Sequence, residues 1–125
     1  MTLYRAKKMT SPTQRSLKHL RDNGWHAEVV EYWHSFTKRR RDLLGFADIL
    51  AMKEGETPLL LQTTTDTHLS ERRTKIHESQ RASLALKSGF RIIIHGWKKR
   101  PVKRGGKAMT WQVREEEVFA NGRDC

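Results

Sequence analysis

Residues 45–64 read Gly-Phe-Ala-Asp-Ile-Leu-Ala-Met-Lys-Glu-Gly-Glu-Thr-Pro-Leu-Leu-Leu-Gln-Thr-Thr. Two apolar runs, 46–52 and 59–64, flank the turn at Glu54-Gly55-Glu56. Each has the length of a strand, and so short a connection makes them antiparallel neighbours. The first run carries an acid, Asp48, and the second ends in the polar triplet Gln62-Thr63-Thr64. An ionised carboxylate among apolar residues is costly unless it is paired or ligated. Asp48 is therefore a candidate ligand or active-site group. The structural alternative is an internal salt bridge to Arg40 or Arg41.

Upstream of this hairpin, Ser11-Pro12 opens a helix over 12–23. Ser11 suits the N-cap, Pro12 suits the first turn, Gln14 completes a Ser-x-x-Gln capping box, and Gly24 closes the helix. Leu17 and Leu20 mark its apolar face. Residues 26–33, His-Ala-Glu-Val-Val-Glu-Tyr-Trp, are rich in β-branched and aromatic types and predict a strand. A basic connection, Lys38-Arg39-Arg40-Arg41, leads from it to the hairpin.

Downstream, Asp66, Thr67 and Ser70 offer caps for a second helix over 69–87, closed by Gly89. Phe90 to Trp97 reads as a central strand buried on both faces. Residues 98–108 are read as a flexible basic loop, and Trp111 to Phe119 as a last strand on the sheet edge. The order α-β-β-β-α-β-β predicts an α/β fold. No repeat or domain boundary interrupts it, so 1–125 is read as one domain with a basic N-terminal arm at 1–10.

The chain carries 25 Lys and Arg against 14 acids, a formal net charge of +11 over 125 residues. Such an excess favours a polyanionic partner, and nucleic acid is the commonest. No apolar run approaches the roughly 18 residues that span a bilayer, and no apolar segment follows the basic N-terminus as in a signal peptide. The single cysteine, Cys125, excludes an internal disulfide and a Cys-based zinc site, and points to a reducing, cytoplasmic setting. The six histidines show no zinc-ligand spacing, and His95, inside a buried strand, reads as a satisfied core histidine. Trp25, Trp33, Trp97 and Trp111 read as core or sheet-edge packing, with base stacking as the functional alternative.

An acid on the second strand and a polar-x-polar triplet on the third, in this element order, resemble the PD-(D/E)xK nuclease superfamily. The likeness is greatest to small Holliday-junction-resolvase-like and VRR-NUC-like members common in phages, and it covers about Ser11 to Trp97. Ala47-Asp48-Ile49 matches the family's Asp motif, Gln62-Thr63-Thr64 falls on its Glu-x-Lys, and Gln14 lies where a first-helix Glu is expected. The resemblance implies a restriction-endonuclease-like core with a mixed central sheet flanked by helices. It further implies a Mg²⁺- or Mn²⁺-dependent DNA endonuclease, a homodimer, and a phage-encoded protein acting in the host cytoplasm. Asp48, the Gln62 amide oxygen and the Thr63 carbonyl would hold the metal, and Thr64 would stand in the position of the lysine.

Thr64 carries no charge, so the missing groups must come from elsewhere. Asp42 lies six residues before Asp48. Glu28 or Glu31 on the first strand could reach the same place, but alternation keeps both from sharing one face in the same way. Lys75 and Arg72 sit on the helix that follows the triplet. A relocated site of Asp42, Asp48, Gln62 and Lys75 is the resulting expectation. Lys38, Arg39, Arg40, Arg41, Arg72, Arg73, Lys98, Lys99, Arg100, Lys103 and Arg104 are the candidate backbone contacts, independent of sequence and weakened by salt. Two other classes stay open: a non-catalytic DNA-binding protein on the same fold, and a phage-encoded inhibitor that uses its basic surface against a protein.

Overall fold

Ser11 caps α1 (Pro12–Asp22), its Oγ accepting the Gln14 N–H at 3.1 Å. Gly24, at φ +89, then turns the chain out of the helix in a conformation that favours glycine. These elements belong to a computed structural model, which describes residues 11–120. The expected arm at 1–10 and Cys125 lie outside the described residues.

Five strands form the main sheet in the order β1 (His26–Val29), β4 (Ile49–Met52), β5 (Leu59–Thr65), β6 (Arg91–Pro101) and β7 (Met109–Val118). All adjacent pairs are antiparallel except β5 and β6, which run parallel with Leu59 opposite Arg91 and Thr65 opposite Trp97. The β4–β5 hairpin and the edge position of the last strand follow the sequence reading. Between β5 and β6 the chain crosses through a 3₁₀ turn at Asp66–His68, α2 (Leu69–His77) and α3 (Gln80–Lys87). The architecture is thus α/β, a mixed five-stranded sheet with three helices.

Alternation along the central strands sorts two cores. Leu59, Leu61 and Ile93 pack with Leu17 and Leu20 of α1, together with Ile49 and Ala51. Leu60, Ile92 and Ile94 pack with Leu69, Ile76, Ala82 and Ala85 of α2 and α3. Both faces of β5 and β6 are therefore buried, as their continuous apolar runs require. Gly96 allows the closest approach on the second face. A Cβ there would lie 2.7 Å from Leu69 Cδ1 and 3.2 Å from Asp66 Cα.

Three expected elements are cut differently. The strand over 26–33 breaks after Val29, because Tyr32–His34 (β2) leaves the sheet to pair with Arg39–Arg41 (β3) in a separate two-stranded hairpin. The basic connection 38–41 is thus largely strand. The helix over 69–87 is two helices, because Ser79 is extended and its Oγ caps α3 by accepting the Ala82 N–H at 3.1 Å. A strong N-cap in mid-run wins over helix continuation. The basic segment 98–108 is not all loop. β6 runs to Pro101, paired through to Met109, so Lys98–Pro101 stand on a two-stranded arm beyond the end of β5. Pro101 is tolerated at the strand end. No helix among the described residues is long and apolar enough to cross a membrane.

Candidate metal and nucleic-acid site

Asp48 lies just before β4, and only 7% of its surface is exposed. The β4–β5 ladder extends along β5 only to Leu61. Beyond it, the Thr63 N–H needs another acceptor, and Asp48 Oδ2 takes it at 2.8 Å. The same oxygen accepts the Thr63 hydroxyl at 3.1 Å, and Thr63 Oγ1 is 2.8 Å from Thr13 Oγ1 on α1. One oxygen of Asp48 is therefore fixed by strand and helix together.

Two local devices bring further acids to it. Leu43 and Ala47 form an isolated bridge, closed by Leu43 N–H to Ala47 O and Ala47 N–H to Leu43 O, each at 2.9 Å. Leu44 and Gly45, at φ +58 and +84, wind the intervening turn. The turn returns the chain so that its flanking residues, Asp42 and Asp48, meet. The left-handed backbone at Leu44 costs about 1–2 kcal/mol, strain of the kind that collects at functional sites. On the other side, the Val30 N–H donates to the Asp48 carbonyl at 2.8 Å, which draws Glu31 to the same point. Carboxylate oxygens of Glu31, Asp42 and Asp48 lie within 4.8 Å of one another.

No Lys or Arg among the described residues forms a salt bridge with any of the three, so the expected structural partners Arg40 and Arg41 do not neutralise Asp48. Burial pushes the Asp48 carboxyl up to about 7, and the Asp42 carboxylate adds to the rise against the Thr63 N–H and hydroxyl, which pull it down. Three hard oxygen donors with no salt-bridged Lys or Arg among the described residues can share a proton or hold a divalent cation.

Beside the trio opens a cleft lined by Tyr32, Arg40, Arg41, Asp42 and Arg81. Its arginines offer planar, permanently charged donors that match phosphate oxygens. No family model, curated protein or solved structure matches the chain.

The other expected site residues fall elsewhere. Thr63 faces α1, so alternation turns Gln62 and Thr64 to the opposite face, with Leu60. Neither side chain hydrogen-bonds Asp48. Thr63 meets Asp48 through its N–H and hydroxyl, not its carbonyl. Lys75 is exposed on α2 and Arg72 is half-buried there, while Arg73 pairs with Glu116. Lys38 lies in the β2–β3 turn at φ +58, and Arg39, Arg40 and Arg41 are exposed on β3. Lys98, Lys99 and Arg100 are exposed on the β6–β7 arm, and Lys103 and Arg104 at its tip. Of the two first-strand acids, Glu31 joins the site and Glu28 instead meets His26 at 2.8 Å. Arg81 was missed altogether, because a lone arginine at a helix start carries no sequence signal.

A second buried polar group lies on the α1 face. His95 and Ser16 are fully buried. His95 Nδ1 is 2.8 Å from Ser16 Oγ, His95 Nε2 is 2.7 Å from Glu115 Oε2, and Trp97 Nε1–H donates to Ser16 Oγ at 2.8 Å. The His95 bond holds the Glu115 carboxylate below its ordinary range, against a smaller rise from burial. His95 is thus a satisfied core histidine, as its strand context implies.

Proposed function

We propose that this chain is a divalent-metal-dependent DNA endonuclease whose centre is Glu31, Asp42 and Asp48. The observation that carries the reading is the uncompensated trio of carboxylates beside an arginine-lined cleft. The donor set fits Mg²⁺ or Mn²⁺: all ligand atoms are carboxylate oxygens, and Asp48 would otherwise keep a proton near neutral pH. When bound, the metal would supply Lewis-acid polarisation of a phosphoryl oxygen and a lowered pKa for a water molecule. The chain's own residues do the rest. Thr63 fixes the orientation of Asp48, and Arg40, Arg41 and Arg81 hold the DNA backbone. The β6–β7 arm adds Lys98, Lys99, Arg100, Lys103 and Arg104 as phosphate contacts. An α/β sheet whose β4–β5 hairpin carries the acid and is followed by a helical crossover to a parallel strand supports the resemblance to the PD-(D/E)xK superfamily. Within that reading, Glu31 and Asp42 take the place of the family's second acid, and Gln62 and Thr64 have no ligand role.

A second reading is favoured by one specific observation. Among the described residues no lysine or arginine forms a salt bridge with the trio, so a metal bound there lacks a directly paired cation. A non-catalytic DNA-binding protein on the same scaffold would look this way. Incubating supercoiled plasmid and four-way-junction DNA with the protein in Mg²⁺, Mn²⁺ or EDTA separates the two. Metal-dependent cleavage that disappears in Asp48→Asn is the expected result. Salt-sensitive binding without cleavage in either metal would leave the second reading.

A further inference from the structure

The hairpin of β2 and β3 stands apart from the five-stranded sheet and carries an unusual surface. Phe36, in its turn, is 90% exposed, Trp33 58% and Tyr32 52%. The facing strand is Arg39-Arg40-Arg41, with Tyr32 opposite Arg41 and Trp33 opposite Arg40. The turn is tight: Lys38 N–H donates to His34 O at 2.8 Å, Thr37 N–H donates to His34 Nδ1 at 3.2 Å, and Lys38 is left-handed. Exposed aromatics gathered on a small element mark a surface meant to be covered.

The feet of this hairpin are two of the trio. Glu31 directly precedes β2 and Asp42 directly follows β3. Whatever lies along the hairpin therefore delivers its neighbouring groups to the three carboxylates. We propose that the hairpin is a stacking wedge for unpaired bases, which makes DNA with a single-stranded or branched segment the substrate class; this rests on the DNA-cleaving reading above. Aromatic faces accept any base without regard to sequence, and guanidinium groups take the intervening phosphates. Phe36 at the tip is placed as apolar wedges are in proteins that open base steps. Charge decides among occupants. A second copy of the same hairpin would set Arg39–Arg41 against their own like charges, whereas a DNA strand supplies both π-faces and the negative charge.

The test uses the full-length protein in EDTA, with fluorescence anisotropy on a labelled blunt duplex and on the same duplex bearing a single-stranded thymidine tail. The wild type is expected to bind the tailed DNA more tightly. In Phe36→Ala, and independently in Tyr32→Ala, the tailed-to-blunt affinity ratio should fall by about tenfold, the order expected for loss of one stacked base. A fluorescent base analogue in the tail should be quenched by the wild type and less so by either variant. Both residues are exposed, so an unchanged thermal midpoint is expected and checks that the fold is intact. An unaltered ratio in both variants, with metal-dependent cleavage still present, would overturn the wedge while leaving the endonuclease reading in place. No DNA binding by the wild type at low salt would overturn both. A change of oligomeric state on Phe36→Ala, seen by sedimentation, would assign the hairpin to self-association and overturn the proposal.

Discussion

Two buried polar groups sit against the same sheet with opposite charge balance. Ser16, His95 and Glu115 contain the residue types of a nucleophilic relay, and they are joined end to end at 2.8 and 2.7 Å. Yet every group in that chain has a partner. Trp97 Nε1–H donates to Ser16, and with Nε2–H directed at the Glu115 carboxylate, His95 Nδ1 accepts the Ser16 hydroxyl. Ser16 is wholly buried, so no substrate carbonyl or phosphate reaches its oxygen. The trio of Glu31, Asp42 and Asp48 is the reverse case: three acids, no salt bridge to a Lys or Arg among the described residues, and an arginine-lined cleft beside them. Residue identity alone would have picked the relay. Unmatched charge picks the trio, because a saturated network has nothing left to offer a ligand.

The sharpest way to break this contrast is to remove one acid. Asp48→Asn keeps a side-chain oxygen for the Thr63 N–H but removes the charge. Cleavage in Mg²⁺ should fall by a factor of about a hundred to a thousand, the equivalent of several kcal/mol of metal-derived stabilisation. A gel assay on plasmid DNA measures it. Undiminished cleavage in Asp48→Asn, or abolished cleavage in Ser16→Ala, would exchange the roles of the two groups.

The second test needs no DNA. Burial raises the Asp48 carboxyl from its ordinary value of 3.8, which the unfolded chain keeps, to about 7 in the fold. The unfolded chain thus loses this proton first, and the metal-free protein should become less stable as pH rises between those values. The slope is about 1.4 kcal/mol per pH unit, so about 2 kcal/mol should be lost between about pH 5.5 and about pH 8. Mg²⁺ or Mn²⁺ should restore stability at the upper end and do little at the lower end, since metal competes with the proton. Thermal unfolding with and without metal decides it. Stability that does not fall with pH in EDTA would mean that the three carboxylates do not burden the fold.

Much of this arrangement was legible in the residues. The helix 12–23, the β4–β5 hairpin, the central strand after Phe90 and the buried Asp48 all follow from caps, short turns and apolar periodicity, which act locally. What failed was set by long-range pairing. Nothing in 26–33 announces that the strand will divide after Val29, because the cause is the pairing of Tyr32–His34 with Arg39–Arg41 in a separate hairpin, a choice of partner that 26–33 does not itself carry. The same division turns Glu31, and not Glu28, toward the site. The expectation for Gln62 and Thr64 turns on one residue of alternation: the middle member of the triplet, Thr63, is the one whose N–H and hydroxyl Asp48 accepts, and its two neighbours face the other side of the sheet. Arg81 became visible only when the break at Ser79 placed the start of α3 beside the β3 end.

Within the relay, Ser16→Ala should leave cleavage within about twofold but destabilise the fold by about 1–3 kcal/mol, the cost of leaving buried partners unsatisfied. Here both the Trp97 N–H and His95 Nδ1 lose their partner. Urea unfolding measures the loss, and the cleavage assay on the same preparation keeps the two groups distinct. A Ser16→Ala protein as stable as the wild type would mean that water replaces the hydroxyl.

The smallest expected effect sharpens the other end of the same chain. The hydrogen bond from His95 keeps Glu115 ionised to lower pH in the folded protein than in the unfolded chain. Its contribution is therefore present above the unfolded value and is lost as pH falls through the folded one, the opposite direction to Asp48. Half of the Glu115 side chain is exposed, so solvent screens the contribution. Glu115→Gln should accordingly change the thermal midpoint little near neutral pH and flatten its decline on the acid side. The amide can still accept from His95 Nε2–H, so the relay stays connected while the titration disappears. An acid limb identical to that of the wild type would show that the Glu115 charge adds nothing to the relay beyond an acceptor, leaving its stability to Ser16 and Trp97.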